Sequence, residues 1–165
     1  MAKLHDTGIL FHISSIPSKY GIGTFGKKAY EVVDFLYESG TKIWQILPLN
    51  QTSFGDSPYQ SPSSNGFNIY FIDLEKLIEE NLLTKQEVES VDLGNDPNRV
   101  DYNKQFENRI PLLKKAFSRF RETDEFKAFL ETNIEAQDFS FFMALKEVNS
   151  GRPWYEWNVT YSLEL

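Results

Sequence analysis

Two short apolar runs bracket a helical pattern near the start of the chain. Residues 8–13, GILFHI, and residues 43–49, IWQILPL, are each nearly continuous in apolar side chains. Runs of this length without alternation fit strands of a parallel sheet covered on both faces. Between them Phe25, Ala29, Val32, Val33 and Leu36 recur with a 3.6-residue period. The spacing predicts a helix that Thr24 caps at its N-terminus and that Gly40 ends in the C′ role. Strand, helix and strand in this order make a βαβ unit. A polar stretch, residues 50–66, NQTSFGDSPYQSPSSNG, follows the second strand.

Beyond "YFIDL" the pattern turns helical. Asp73 is placed to cap "LEKLIEENLL", Thr84 and Glu87 form a capping-box pair, and Thr123 is placed to cap "DEFKAFLE". Residues 103–121 carry Phe106, Ile110, Leu113, Phe117 and Phe120 on one stripe, with Pro111 starting or kinking a helix there. Phe139, Phe142, Met143 and Leu145 mark a last apolar face. The reading divides the chain at residue 75: residues 1–75 form the βαβ unit with its loop, and residues 76–165 a helical subdomain.

Composition narrows the chemistry. The formal net charge of −7 disfavours nucleic acid, whose affinity rests on Lys and Arg releasing counterions. No cysteine is present, so disulfides and thiolate metal sites are excluded. No apolar segment is long enough to span a bilayer, and the first residues do not read as a signal peptide. A soluble cytoplasmic protein with no membrane partner is expected. Phe, Tyr and Trp make up 15% of the chain, and most of them are expected in the core.

The stretch GIGTFG, Gly21 to Gly26, matches the G-x-G-x-x-G spacing that cradles a pyrophosphate. A dinucleotide fingerprint needs those glycines at the strand end and an acid at the end of the second strand. Here SSIPSKY intervenes, and the second strand ends in Asn50. The glycines are therefore expected to shape a turn and a close strand-to-helix approach, with no nucleotide bound.

The loop 50–66 is more specific. It lies at the C-terminal end of a parallel strand, where open α/β sheets place ligands. It combines Phe54, Asp56, Ser57, Tyr59 and Gln60. Sugars suit such a set, because their rims need directional partners and their C–H faces stack on rings. A capped Pro-rich turn, with Asp56 and Ser57 bonding local backbone, suits it equally well. Elsewhere the readings are plainer. His12 is expected as a hydrogen-bonded near-core residue, since metal sites need several converging ligands. The WYEW cluster, Trp154 to Trp157, is expected to pack in the core, with sugar stacking as the other reading. Asp34 and the acidic run EKLIEEN are expected on solvated helix faces.

The strings HISSIPSKYGIGTFG, WQILPL and GDSPYQS, with FFMALKEVNSGRPWYEW near the end, resemble the amylomaltases. These are the 4-α-glucanotransferases, or disproportionating enzymes, of glycoside hydrolase family 77, and the likeness is to their N-terminal portion. It implies an α/β fold, the first βαβ unit of a (β/α)₈ barrel followed by a helical insertion lobe. The implied reaction transfers α-1,4-glucan segments between maltooligosaccharides with retention, with no cofactor and no metal. By the same likeness Ser57 and Tyr59 face the substrate cleft, and Asp56 and Gln60 support the loop. A second glucan site in some members uses two tyrosines, matched here by Phe54 and Tyr102. Phe54 keeps a ring but no hydroxyl.

A full barrel takes about 250 residues. A retaining transferase needs two carboxylates roughly 5–5.5 Å apart, and the family carries them on later strands, outside this chain. The chain is therefore expected to be inactive alone, and to self-associate through its open strand edges or keep a loose strand region unless a partner or further segment covers them. The alternative is a non-catalytic maltodextrin-binding or structural module derived from such an enzyme.

Overall fold

The computed structural model describes residues 6–53, 55–96 and 98–157. Two strands, β1 (Gly8–Leu10) and β2 (Ile43–Gln45), pair in parallel with Gly8 opposite Ile43 and Leu10 opposite Gln45. The helix α1 (Lys27–Glu38) connects them, so the βαβ unit forms as the periodicity predicts. The strands are shorter than the apolar runs. After Phe11 the chain turns into a 3₁₀ turn at Ile13–Ser15, and residues 46–49 run on without a ladder partner among the described residues. The expectation of burial on both faces is not met: Ile9, Leu10, Ile43 and Ile46 are exposed. Among the described residues only these two strands pair, and no further layer covers their far side. Trp44 still anchors the pair, stacking on Phe11 at 4.9 Å and donating from Nε1 to the Phe11 carbonyl at 2.9 Å.

The start of α1 differs from the sequence expectation. Gly26 occupies the N-cap, and no side chain caps the helix. The Thr24 hydroxyl instead donates to the Asp73 carboxylate, and a Cβ on Gly26 would overlap that same carboxylate. The helix start is thus tied to the next helix rather than capped locally. At the other end Gly40 takes a left-handed φ of 73°, with Thr41 N–H on the Leu36 carbonyl at 2.9 Å, a Schellman ending. Phe25 and Val33, expected on the buried stripe, are exposed, while Ala29 and Leu36 are buried.

The helical part comprises α2 (Leu74–Glu79), α3 (Lys85–Glu89), α4 (Tyr102–Lys104), α5 (Ile110–Arg119), α6 (Asp124–Thr132) and α7 (Ile134–Val148). Asp73 and Thr123 cap α2 and α6, and the Thr84–Glu87 capping box forms in full. Arg119 grips the Glu87 carboxylate with two bonds of 2.8 and 2.7 Å, locking α3 to α5. Between α4 and α5 a π-helical turn spans Gln105–Arg109. Pro111 explains it: the ring collides with the carbonyl four residues back, and a widened turn relieves that contact.

The stripe expected from residues 103–121 is rotated. Phe106 and Phe117 are exposed, whereas Gln105, Arg109, Leu112 and Ala116 face inward. The phenylalanines were given the interior on hydrophobicity, but two polar side chains hold it through hydrogen bonds. One core gathers Ile13, Ile16, Ile22, Ala29, Tyr70 and Phe71. A second gathers Tyr20, Leu74, Leu83, Val88, Leu93, Leu112 and Ala116. Tyr20 and Leu74 carry the first stretch of chain into that helical core. The WYEW cluster divides: Trp157 is buried against Phe142 at 5.5 Å, but Trp154 and Tyr155 are exposed. Among the described residues no helix is long and apolar enough to cross a membrane.

Candidate functional site

The glycine-rich turn is packed against protein. A Cβ on Gly21 would overlap the Leu93 carbonyl, and one on Gly23 the Ile13 carbonyl. Gly21 also has φ of 75°, where a side chain costs about 1–2 kcal/mol. These glycines are where the turn packs directly against neighbouring backbone.

The loop after β2 folds on itself. Ser53 N–H donates to the Gln60 carbonyl at 2.9 Å, Asp56 N–H to Ser53 at 3.1 Å, and Gln60 N–H to Ser57 at 3.0 Å. Gly55 and Asp56 are consecutive left-handed residues, at φ of 91° and 54°. Asp tolerates that region better than most side chains. The base of the loop is fixed by amides. Buried Gln51 accepts the Ile69 N–H at 3.2 Å, and Asn68 donates to the Asn50 carbonyl at 3.2 Å.

A cleft of about 560 Å³ opens between this loop and two other segments, lined among others by Ser14, Gly21, Asp56, Asp96, Arg99 and Tyr102. Asp56 and Tyr102, from separate parts of the sequence, meet here. Tyr102 opens α4, whose N-cap Asp101 accepts the Lys104 N–H at 3.1 Å, and its ring lies 6.1 Å from that of Tyr70. Burial pushes the Asp56 carboxyl above its ordinary value. It also pushes up both phenols, Tyr70 to about 12, and the nearby Asp56 charge adds to each shift. The cleft thus presents the Asp56 and Asp96 carboxylates, the Arg99 guanidinium and the Tyr102 ring.

The other residues named from the sequence lie apart from the cleft lining. Ser57 is half-buried and its hydroxyl accepts the Tyr59 N–H at 3.3 Å. Gln60 is exposed, and Tyr59 is 73% exposed. Phe54 lies outside the described residues. Asp96 and Arg99 were not anticipated. The only sequence signal for them is the turn-rich string GNDPNRVDY that delivers Tyr102. His12 is buried edge-on to Phe71 at 5.4 Å. Its Nδ1 has no partner among the described residues, contrary to the hydrogen bond expected for it, and burial lowers its pKa. Among the described residues no group of three His, Cys, Asp or Glu side chains converges as a metal site.

Comparison with known proteins gives the family. A family model described as 4-alpha-glucanotransferase matches residues 11–164. A 4-alpha-glucanotransferase of Streptococcus pneumoniae serotype 4 is 46% identical over 159 residues, covering 94% of this chain and 32% of the relative. One from Clostridium butyricum is 48% identical over 150 residues, covering 89% of this chain and 31% of the relative. The solved amylomaltase from Streptococcus agalactiae, in complex with acarbose, superposes with a TM-score of 0.87 at 43% identity, over 93% of this chain and 32% of that one. The chain spans about a third of the length of these relatives. With a family match over nearly its whole length, the chain belongs to the 4-alpha-glucanotransferase family, glycoside hydrolase family 77.

Proposed function

We propose that this chain supplies part of the glucan cleft of a 4-α-glucanotransferase. In this reading β1, α1 and β2 are the first βαβ unit of a (β/α)₈ barrel, and the segment from residue 76 is a helical subdomain. The two carboxylates of retaining transfer lie outside the chain. The substrates are α-1,4-glucans, and the protein works in the cytoplasm without nucleic acid or membrane. The observation that carries the reading is the cleft itself. It joins the loop 50–66, through Asp56, to a buried-sided tyrosine, Tyr102, 46 positions further on. Carboxylate and amide groups bond sugar hydroxyls, and a ring edge supports a C–H face. Ser57 and Tyr59, on the exposed side of the same loop, extend the contact toward the donor and acceptor sugars, with Gln60 closing the loop behind them. Tyr102, with Phe54, forms the second glucan contact.

Acarbose, bound by the Streptococcus agalactiae relative, is the probe that tests this. Titrated into the ¹⁵N-labelled chain, it should shift amides in residues 53–60 and 96–103 and leave α6 and α7 unmoved. Maltotriose incubated with the chain should release no glucose. Shifts confined to the exposed Trp154 and Tyr155 would overturn the cleft assignment. Glucose release would overturn the placement of the carboxylates, and saturable binding without it is also what a pure binding module would give.

A further inference from the structure

The most deeply buried polar side chains in the described structure are not in the cleft but directly behind it. Gln105 and Arg109 are both 0% exposed. They stand four residues apart on the π turn, so they share one inward face. Arg109 donates from Nη2 to the Ile72 carbonyl at 2.5 Å and from Nη1 to Gln105 Oε1 at 3.3 Å. That second bond fixes which way the Gln105 amide points. Its oxygen faces the guanidinium, so its NH₂ must face the other way. There Nε2 donates to two backbone carbonyls, Tyr20 at 2.8 Å and Leu93 at 2.5 Å.

Neither carbonyl lines the cleft, but each lies beside a segment that does. Tyr20 immediately precedes Gly21, which lines it, and Leu93 immediately precedes the segment that carries Asp96, Arg99 and Tyr102. Gly21 sits so close that any Cβ there would overlap the Leu93 carbonyl and crowd Gln105 Nε2. One amide therefore sets the distance between walls that are more than 70 residues apart in sequence. Burying a cation without a carboxylate bonded to it costs several kcal/mol unless its donors are used, and Arg109 Nε has no partner among the described residues.

We infer that Gln105 and Arg109 are positioning residues for the cleft. Together they fix the spacing of these two segments, and so the place of Tyr102 and Arg99 relative to the wall that carries Ser14 and Gly21. The ligand consequence rests on reading the cleft as the glucan site; the positioning claim does not.

Two variants of the full chain test it, Gln105→Met and Arg109→Lys. Met keeps the bulk of Gln and removes both donors. Lys keeps one donor for Ile72 and releases the Gln105 amide. Hydrogen exchange is read at the Gly21, Gly23, Gly94 and Lys104 amides, all hydrogen-bonded in the folded chain. Gln105→Met should speed exchange there about ten-fold, as one unsatisfied buried carbonyl on each wall would cause, while α6 and α7 stay unchanged. Arg109→Lys should give a smaller change at the same amides, and stands in if the Met variant does not fold. Acarbose affinity should fall at least in step with the Gly94 and Lys104 change. Unchanged exchange, or a rise spread evenly over the molecule, would overturn the inference. Failure of acarbose to bind even the unsubstituted chain would overturn the functional reading and leave the exchange result to decide this one.

Discussion

Asp73 joins the glycine-rich turn to the helical core, and its removal should be felt on both sides. One carboxylate oxygen accepts the Lys76 N–H at 3.1 Å as the cap of α2, and the other accepts the Thr24 hydroxyl. Replacing an Asp N-cap with Ala costs about 0.5–2 kcal/mol. Thr24 is buried, so its hydroxyl would lose a charge-assisted bond worth about 1.5–3 kcal/mol. The carboxylate also favours the charged form of Arg109, which burial pulls down to about 10. Asp73→Ala should therefore destabilise the chain by about 2–5 kcal/mol, a large share of the roughly 5–15 kcal/mol that holds a domain together. Asp73→Asn keeps one acceptor and should cost about half as much. Thr24→Val isolates the second bond. In a double-mutant cycle the Thr24–Asp73 coupling should be about 1 kcal/mol or more. Urea unfolding followed by far-UV circular dichroism at two protein concentrations measures each corner of the cycle. A cost below about 0.5 kcal/mol for Asp73→Ala, or additivity within about 0.3 kcal/mol, would refute the shared anchor.

Three further outcomes are expected. Tyr59→Ala should change stability by less than about 0.5 kcal/mol, because the ring is exposed, yet weaken acarbose binding by about 1–3 kcal/mol through loss of a stacking ring and a phenolic bond; equal affinity by calorimetry would remove Tyr59 from the sugar contact. Burial holds His12 below its ordinary value of 6.5, so the unfolded chain takes up the proton first as pH falls. Its contribution is intact above pH 6.5 and declines as pH drops through that value toward the folded one, and His12→Gln should flatten the fall; parallel stability–pH curves for the two proteins would exclude it. Finally, among the described residues β1 and β2 each have one ladder partner, and Ile9, Leu10, Ile43, Phe35 and Tyr37 are exposed, so the chain on its own should self-associate. Light scattering showing a monomer at all concentrations, with strong exchange protection in both strands, would count against that.

Local chemistry was the most legible layer. Asp73, Thr84 with Glu87, Thr123 and Gly40 all act as their residue types and spacing require, because a cap is decided within a few residues of itself. Thr24 shows the limit. Its type and position fit an N-cap, but a carboxylate 49 residues away takes its hydroxyl, and no local rule carries that information. The loop 50–66 stood out in the sequence as one wall of a candidate site, and Asp56 lines the cleft. The other wall of the cleft was not, because Asp96 and Arg99 lie in a string whose composition says only turn.

The two misreadings of burial have opposite signs and one cause. Ile9, Leu10 and Ile43 are apolar and exposed, while Gln105 and Arg109 are polar and fully buried. A hydrophobic pattern reports which side chains can be buried cheaply, and burial itself depends on what stands opposite. For the strands, no second covering layer stands opposite within the described residues. For the π turn, three backbone carbonyls at Tyr20, Leu93 and Ile72 stand opposite. A carbonyl facing an apolar interior would be left unsatisfied at a cost of about 1–3 kcal/mol each, which favours long donors over phenylalanine at just those positions. Periodicity therefore locates an inward stripe reliably only where the opposing surface is apolar. Where it is backbone, the stripe has to be looked for in Gln and Arg, spaced as Gln105, Arg109, Leu112 and Ala116 are. That spacing is helical once the two polar residues are counted, and it passes along the wall that holds Tyr102 against the cleft.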